Sequence, residues 1–245
     1  MNMTSFSEIS ARSLQDSSTV QQAPLGTLMF SRDGRGFRYV LNGAAALVAG
    51  NAIQHAAQKT NYQNLTPVAA AIGATSFTTT PGATASVANQ FAEGWVQVDT
   101  TPDIGAMYQI ASHIANAGSV AQAYQLYSDE YLRTAWTSAT RIGIIENVYS
   151  RLIQSPVTTL TGAIVGAAVW PIPASTTSVF QYGWVQTHGP ANLLVAGTPA
   201  VGNAISCPTT AAGGVAINSG TLQIIGTIMV TGQAALCQPV FLIID

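Results

Sequence analysis

The sequence predicts an all-β protein, and three observations indicate this class. Short runs of β-branched and aromatic residues recur along the 245-residue chain and are separated by Gly and Pro. Hydrophobic residues make up 48% of the chain and charged residues only 7%, the opposite of the charged, apolar-poor composition of disordered chains. The heptad at 91–97 returns at 180–186 with five of seven positions identical, and both copies contain Gly-Trp-Val-Gln. Many short strands with such turns are typical of a β-sandwich, barrel or jelly roll.

The chain is expected to contain two related β modules in one body. Besides the heptad, residues 47–53 resemble 194–197 followed by 202–205. The two echoes occur in opposite order, which fits two modules better than a tandem array. Each heptad copy is expected to be a strand with its aromatic face turned inward. The predicted architecture is a jelly-roll-like sandwich with an extended N-terminal arm.

The predicted boundaries follow composition. Residues 1–24 are polar and rich in Ser and Gln, so this arm is expected to be disordered alone and ordered only against a partner. An unused flexible tail is the alternative. The first module is placed at 25–155 and the second at 156–245, since Ser155-Pro156 is a natural break.

The first module opens with a hairpin. Strands at 25–30 and 37–41 flank a turn that contains Asp33-Gly34, a pair that readily takes positive φ. Further strands are predicted at 44–49, 51–56, 65–72, 76–80, 83–87, 91–99 and 107–113. Residues 120–149 could form a helix, but their β-branched residues favour two strands around a loop at 128–130. In the second module, strands are predicted at 162–170, 180–187, 192–195, 205–207, 222–230 and 240–244.

Charge is sparse and unevenly distributed. The net charge is −2 and the single lysine is Lys59, so there is no basic stripe and phosphate-driven nucleic-acid binding is not expected. No Asp, Glu, Lys or Arg occurs between Arg151 and Asp245. This half has either a neutral, extracellular-type surface or a surface covered by partner subunits. We favour the second interpretation because interface cores are depleted in charge.

Membrane and redox features are also predicted from the sequence. No run of about 20 apolar residues occurs, so no membrane span is expected. The N-terminus lacks a basic start followed by an apolar core, and no secretory signal is predicted. Cys207 and Cys237 are too few for a disulfide framework. Two free thiols are favoured over one bridge, which is consistent with assembly in a reducing cytosol.

The sequence contains no motif for catalysis, a cofactor or a metal. A Walker loop, a Gly-x-Ser-x-Gly elbow, His-Glu-x-x-His and an acidic calcium loop are all missing. His55, His113 and His188 have no acidic or cysteine neighbour at ligand spacing. Glycoside hydrolysis needs two facing carboxylates, and nothing fixes a pair among the candidates. These are Glu93, Asp99, Asp103, Asp129, Glu130 and Glu146. We therefore predict that the protein is not an enzyme.

Two sets of side chains are candidates for binding. Trp136, Trp170 and Tyr182 could form a platform that stacks on sugars, although core packing is the favoured interpretation of each. The hairpin arginines could bind an acidic partner, although a solvated turn is favoured for them. With two residues of the arm, they make up the predicted partner-binding set: Phe6, Arg12, Arg32, Arg35 and Arg38.

Two longer stretches resemble a known group of proteins. Residues 37–50 (FRYVLNGAAALVAG) and 182–190 (YGWVQTHGP) resemble virion proteins of tailed bacteriophages. They look most like the head decoration, or cement, proteins encoded near the major capsid gene, including those of cyanophage-like viruses. The resemblance spans roughly 25–205 and departs at 120–131, where the usual Thr-rich strand is replaced. Its motifs carry no active site.

The resemblance implies a jelly-roll-like homotrimer on the outer surface of the capsid, assembled in the host cytoplasm. The major capsid protein would be its partner, with the arm reaching onto neighbouring subunits. The expected function is to bridge capsomers and stabilise the shell, with many weak contacts adding through avidity. The alternative is a tail or head fibre module that binds host-surface glycans through exposed aromatic residues.

Overall fold

The computed structural model describes residues 8–157, 160–208 and 210–245, and these residues are almost entirely β. They contain no α-helix and one 3-10 helix, Thr60–Tyr62. The strands are β1 Leu28–Phe30, β2 Gly36–Leu41, β3 Asn51–Gln54, β4 Ser76–Thr79, β5 Trp95–Val98, β6 Met107–His113, β7 Gln122–Leu126, β8 Ile142–Ile145, β9 Ile153–Gln154, β10 Ile164–Ala168, β11 Tyr182–Val195, β12 Ala204–Ser206, β13 Ala216–Ile217, β14 Gly226–Ile228 and β15 Leu236–Ile243. They form two curled antiparallel sheets, so the prediction of an all-β, sandwich-like fold is confirmed.

The chain divides into two compact units. The outer unit contains the described residues up to Ala57 and those from Val148 onward, and the inserted unit is Gln58–Asn147. Strand pairing explains this division, because β2 pairs with β11 and β3 pairs with β10. Both partner strands follow the inserted unit in the sequence. This division differs from the predicted modules, because 25–155 spans parts of both units. The two heptad copies nevertheless lie in different units, one in β5 and one in β11.

The outer unit has a ten-stranded sheet centred on β11. Its order is β13-β12-β14-β15-β11-β10-β3-β9, with β1 and β2 added beside the first half of β11. Val40, Val185 and Ile53 are fully buried on the inner side of the sheet. Ala52 and Ala167, the neighbours of Ile53 and Ala168 on β3 and β10, point to the other side of the sheet and join a second buried cluster with Leu193 and Val240. The sheet is therefore buried on both sides around β3 and β10.

The side of the sheet opposite Val185, along β2 and the first half of β11, is here called the outer face. Tyr39 and Trp184 lie directly opposite each other on β2 and β11, and Tyr182 is two residues from Trp184. Strand alternation places these rings on the side away from Val185. The expectation that the aromatic residues of the heptad turn inward is therefore wrong for the tryptophans. In both copies the valine, Val96 or Val185, is fully buried, whereas the tryptophan before it is only half-buried.

The inserted unit has its own sheet and core. The sheet order is β4-β7-β6-β5-β8, and residues 65–68 hydrogen-bond to both of its edge strands. Leu65 exchanges two backbone hydrogen bonds with Ile142, and the Val68 amide donates to the Thr78 carbonyl at 2.8 Å. The sheet thus curls around a core of large side chains. These include Trp136, Tyr62, Tyr124, Phe91, Ile110, Leu132, Ile142 and Ile144.

Several predicted strands are shorter or differently bounded in the structure. Residues 44–49, 65–72 and 83–87 contain only isolated bridges. These segments follow the core without continuous pairing, so apolar composition alone overestimated them. The region 120–149 does contain two strands, β7 and β8, but the connection between them is much longer than the predicted loop at 128–130.

Candidate partner-binding surface

The described part of the arm packs on the outer face of its own chain. The Ile9 amide donates to the Phe30 carbonyl at 2.9 Å, and Ser18 exchanges two backbone hydrogen bonds with Tyr182 at 2.8 and 3.0 Å. Ile9 and Leu14 are buried in one cluster with Phe37. Residues 8–24 therefore find partners within the chain, contrary to the expectation that they need another molecule to become ordered. Burial of the apolar side chains of Ile9 and Leu14 explains why this otherwise polar segment packs on its own chain.

The predicted partner-binding set has four members within the described residues, and Phe6 lies outside them. Arg12 is exposed on the arm, and Arg32 is exposed at the tip of the hairpin. Within the described residues, neither of these two side chains forms an ion pair. Their charges remain available to an acidic partner. A binding role for this set stays a prediction.

Arg35 belongs to a locally satisfied turn. Its Nε donates to Asp33 Oδ2 at 2.8 Å, and its guanidinium lies 5.5 Å from the centre of the Phe37 ring. The Ser31 hydroxyl also donates to Asp33. The hydrogen bond from Ser31 contributes most to lowering the pKa of Asp33, and those from Arg35 lower it further. Together they outweigh partial burial, which raises the pKa. The arrangement stabilises the Asp-Gly turn, in which Gly34 has a φ of +83°.

Arg38 is engaged inside the outer unit. Its Nε donates to Asp245 Oδ2 at 2.8 Å, Nη1 donates to the Gly26 carbonyl at 2.7 Å, and the guanidinium lies 5.6 Å from the Tyr149 ring. Burial raises the pKa of Asp245, but hydrogen bonds from Arg38 and Thr187 and the charge of Arg38 outweigh it. The net pKa is therefore lowered. Arg38 serves mainly to join β2 to the end of the chain.

We expect Asp245→Asn to destabilise the protein by about 1 kcal/mol at neutral pH, because it removes a half-buried ion pair. The folded-state pKa of Asp245 is depressed, so its stabilisation is present above the ordinary value of 3.8 and is lost as the pH falls through the folded pKa. Urea unfolding of both proteins should differ at pH 7 and converge once the pH falls below the folded-state pKa of Asp245. The control is Asp33→Asn, whose ion pair is more exposed and should contribute less. A stability difference that is independent of pH would contradict this assignment.

One side of β15 and of the second half of β11 is uncovered and carries no charge. Along β11 the residues at 188–195 alternate, with 189, 191, 193 and 195 buried and the residues between them at least partly exposed. In the antiparallel register, each outward residue of β11 lies opposite an outward residue of β15. We call this area the uncharged face. Its residues are His188, Pro190, Asn192, Leu194, Thr227, Met229, Cys237, Pro239, Phe241 and Ile243.

The uncharged face leaves an unusual number of large apolar side chains exposed to solvent. Ile243 is 49% exposed and Met229 is 43% exposed. In β15 both the inward residues, Val240 and Leu242, and the outward residues, Phe241 and Ile243, are apolar. Strands that are apolar on both sides are typical of sheets covered on both faces. Among the residues that the structure describes, the chain covers only one side of β15. This pattern in 239–244 is the signal that could have located the surface from the sequence.

The candidate catalytic carboxylates mostly make local structural contacts. Asp103 accepts hydrogen bonds from the Tyr108 hydroxyl at 2.6 Å and from Trp136 Nε1 at 3.2 Å. Burial and this bond to Asp103 raise the pKa of Tyr108. Glu130 accepts the Gln109 amide. Asp99 accepts from the Gln97 side chain, and Glu146 accepts from the Gln90 side chain. Asp129 is exposed. The backbone carbonyl of Glu93 accepts from Asn147.

The three histidines do not come together. His113 is buried, and its Nε2 accepts the Phe91 amide at 3.0 Å. His55 Nδ1 contacts the Ala56 carbonyl at 2.6 Å, and His188 packs edge-on against the Phe241 ring. Within 8–157, 160–208 and 210–245, no group of three or more His, Cys, Asp or Glu residues could hold a metal ion.

Both thiols are free, but their surroundings differ. Cys207 is buried in the core of the outer unit, and burial raises its pKa to about 11. At neutral pH this thiol is protonated and therefore unreactive. Cys237 is exposed on the uncharged face.

The proposed sugar-stacking residues have different positions. Trp136 is 1% exposed and belongs to the core of the inserted unit, as the favoured interpretation held. Trp170 is 42% exposed, and Tyr182 is buried beneath the arm. The sequence interpretation did not single out Trp184, which is half-buried beside Tyr39 and Tyr182.

No helix in the described part of the chain is long and apolar enough to cross a bilayer. Comparison of the chain with protein-family models, with curated proteins and with solved structures gave no match.

Proposed function

We propose that this protein is a structural virion protein that binds the outer surface of a tailed-phage capsid and bridges neighbouring capsomers. The observation that carries the proposal is the uncharged face. It is an ordered sheet surface whose strand β15 is apolar on both sides, although the chain covers only one side. Large uncovered apolar patches mark sites of association.

The partner surface should be a protein surface of low charge, for which a capsid lattice is suited. Burial of the uncharged face requires no desolvation of ionised groups, so contact there would be favourable without complementary charges. Arg12 and Arg32 can add contacts to acidic groups at the edge of the same unit. The proposed partners are the major capsid protein and further copies of the chain in a trimer. The role is mechanical and involves no catalysis.

The first test places a charge on the uncharged face. We expect Ile243→Lys combined with Met229→Lys to weaken binding to capsids that lack the protein at least about tenfold, because an unpaired ammonium would be buried at the contact. Both side chains are exposed, so folding should be preserved. The matched control is Ile114→Lys, a 75% exposed residue of the inserted unit. Cosedimentation with capsids measures the binding, and equal binding by all variants would remove the uncharged face from the proposal.

Salt separates the apolar and the charged parts of the contact. Binding through the uncharged face should persist from low to high ionic strength, whereas binding through Arg12 and Arg32 should weaken as salt screens it. Loss of most binding at high salt would assign the contact to the arginines instead.

The stabilising role is tested on particles. Capsids without the protein should lose DNA on mild heating, and adding the purified chain should restore retention. Unchanged DNA retention in its absence would show that the protein does not reinforce the shell.

A further inference from the structure

The arm leaves a cavity between itself and the outer face. Its volume is about 510 Å³, within the range of roughly 300–1,000 Å³ found for small-molecule sites. Tyr39, Tyr182 and Trp184 line it on the sheet side, together with Met29. The rings of Tyr39 and Tyr182 are parallel with centres 5.9 Å apart, and Trp184 meets Tyr39 edge-on at 5.1 Å. Packing thus fixes the aromatic side of the cavity.

The arm contributes the polar side. Its lining residues include hydroxyl and amide side chains, Ser10, Ser13, Ser17, Ser18 and Gln22. The same side carries two carboxylates, Glu8 and Asp16, which are exposed at the rim. Within the described residues neither carboxylate has an ion-pair partner, and Trp184 Nε1 donates to no other group. The cavity therefore offers unused acceptors and an unused donor next to an aromatic surface.

This combination matches the chemistry of a saccharide. The C–H face of a sugar ring packs on an aromatic ring, while its hydroxyls donate to carboxylates and exchange hydrogen bonds with serine and amide groups. An organic cation would use the rings and the carboxylates but leave the indole N–H of Trp184 without an acceptor. Among the described residues that line the cavity there is no Lys or Arg, so acidic sugars would be repelled by Glu8 and Asp16.

We propose that this cavity binds a neutral or amino-substituted saccharide of one or two rings. Trp184 provides the stacking surface, and Asp16 and Glu8 accept the hydroxyl hydrogens. The site lies within the outer unit and uses no residue of the uncharged face. It goes beyond the proposed capsid function, and either function can fail without the other.

The test uses the purified full chain without capsids. Saturation-transfer NMR and titration should be run with glucose, galactose, glucosamine, N-acetylglucosamine and their common disaccharides. N-acetylneuraminic acid and arginine serve as acidic and cationic comparison ligands. We expect saturable binding of at least one neutral or amino saccharide, with neither comparison ligand competing for the site.

Two substitutions locate the site. Asp16→Asn should weaken saccharide binding about tenfold, because a hydrogen bond to a charged acceptor is lost. Trp184→Phe keeps an aromatic ring but removes the indole N–H and should also weaken binding. Asp129→Asn is the matched control, since Asp129 is an exposed carboxylate lining a cavity of the inserted unit. Asp16 is exposed, so its variant remains informative even if Trp184→Phe folds poorly.

Three outcomes would overturn the proposal. One is that no saccharide binds up to its solubility limit. Another is that only arginine or N-acetylneuraminic acid binds, which would assign the cavity to a different ligand class. The third is that a saccharide binds equally well to Asp16→Asn and Trp184→Phe, which would place binding elsewhere.

Discussion

Trp136→Ala should destabilise the inserted unit by about 3–5 kcal/mol, the range for removing a buried aromatic side chain. Trp136 is 1% exposed, and its ring packs against Phe77 and Tyr108 at centre distances of 5.4 and 6.0 Å. Its Nε1 also donates to Asp103, so alanine would leave both a cavity and a weakened acceptor contact. Hydrogen–deuterium exchange in β4–β8 would show the loss as faster exchange throughout this unit.

Trp136→Phe separates packing from hydrogen bonding. Phenylalanine retains much of the ring but not the N–H to Asp103, so we expect a loss of about 1–2 kcal/mol. If Trp136→Ala left exchange in the inserted unit unchanged, the ring could not be part of its core. The residue would then again be a candidate for sugar stacking.

Gly94→Ala should destabilise the inserted unit by about 3 kcal/mol, at the upper end of the usual cost of overpacking. A Cβ on Gly94 would overlap the backbone carbonyl oxygen of Ile145 and lie 3.0 Å from the Asn147 amide nitrogen. Both obstacles are backbone atoms, so relief requires the chain to move. Urea denaturation of the variant would measure the loss.

The second heptad copy provides the control. The equivalent substitution, Gly183→Ala, would place a Cβ 2.7 Å from Ile172 Cδ1, the end of a side chain that can rotate away. We expect a cost of about 1 kcal/mol. Similar losses of stability for both variants would contradict this prediction. They would mean that the surroundings of the two glycines do not determine the cost of an added side chain.

The all-β class and the positions of several strands could be predicted from local sequence patterns. The hairpin at β1 and β2 and the strands β4 and β6 were predicted nearly in place, because Asp33-Gly34 and two-residue alternation are local signals. The limits of the two units were not predicted. They depend on the pairing of β2 and β3 with strands beyond the inserted unit, and spacing along one sequence does not reveal such long-range partners.

The candidate surface was only partly accessible from the sequence. The absence of charge after Arg151 pointed to coverage by a partner, and the structure places an uncovered apolar sheet surface in that half. The position of the arm was not predicted, because its two buried residues, Ile9 and Leu14, give no periodic pattern. Trp184 was missed as a lining residue because only the packed arm creates the cavity beside it.

The insertion of one unit into the other has a consequence for biosynthesis. The inserted unit is continuous in sequence, so all of its strands leave the ribosome together and can fold early. The sheet of the outer unit cannot be completed until β15, at the end of the chain, has been made. β2 and β3 acquire their distant partners earlier, once β9, β10 and β11 have been made. A nascent chain stalled before β15 should therefore carry one finished body and a sheet in which β11 and β14 each lack a partner strand, which makes chaperone contact most needed late in translation.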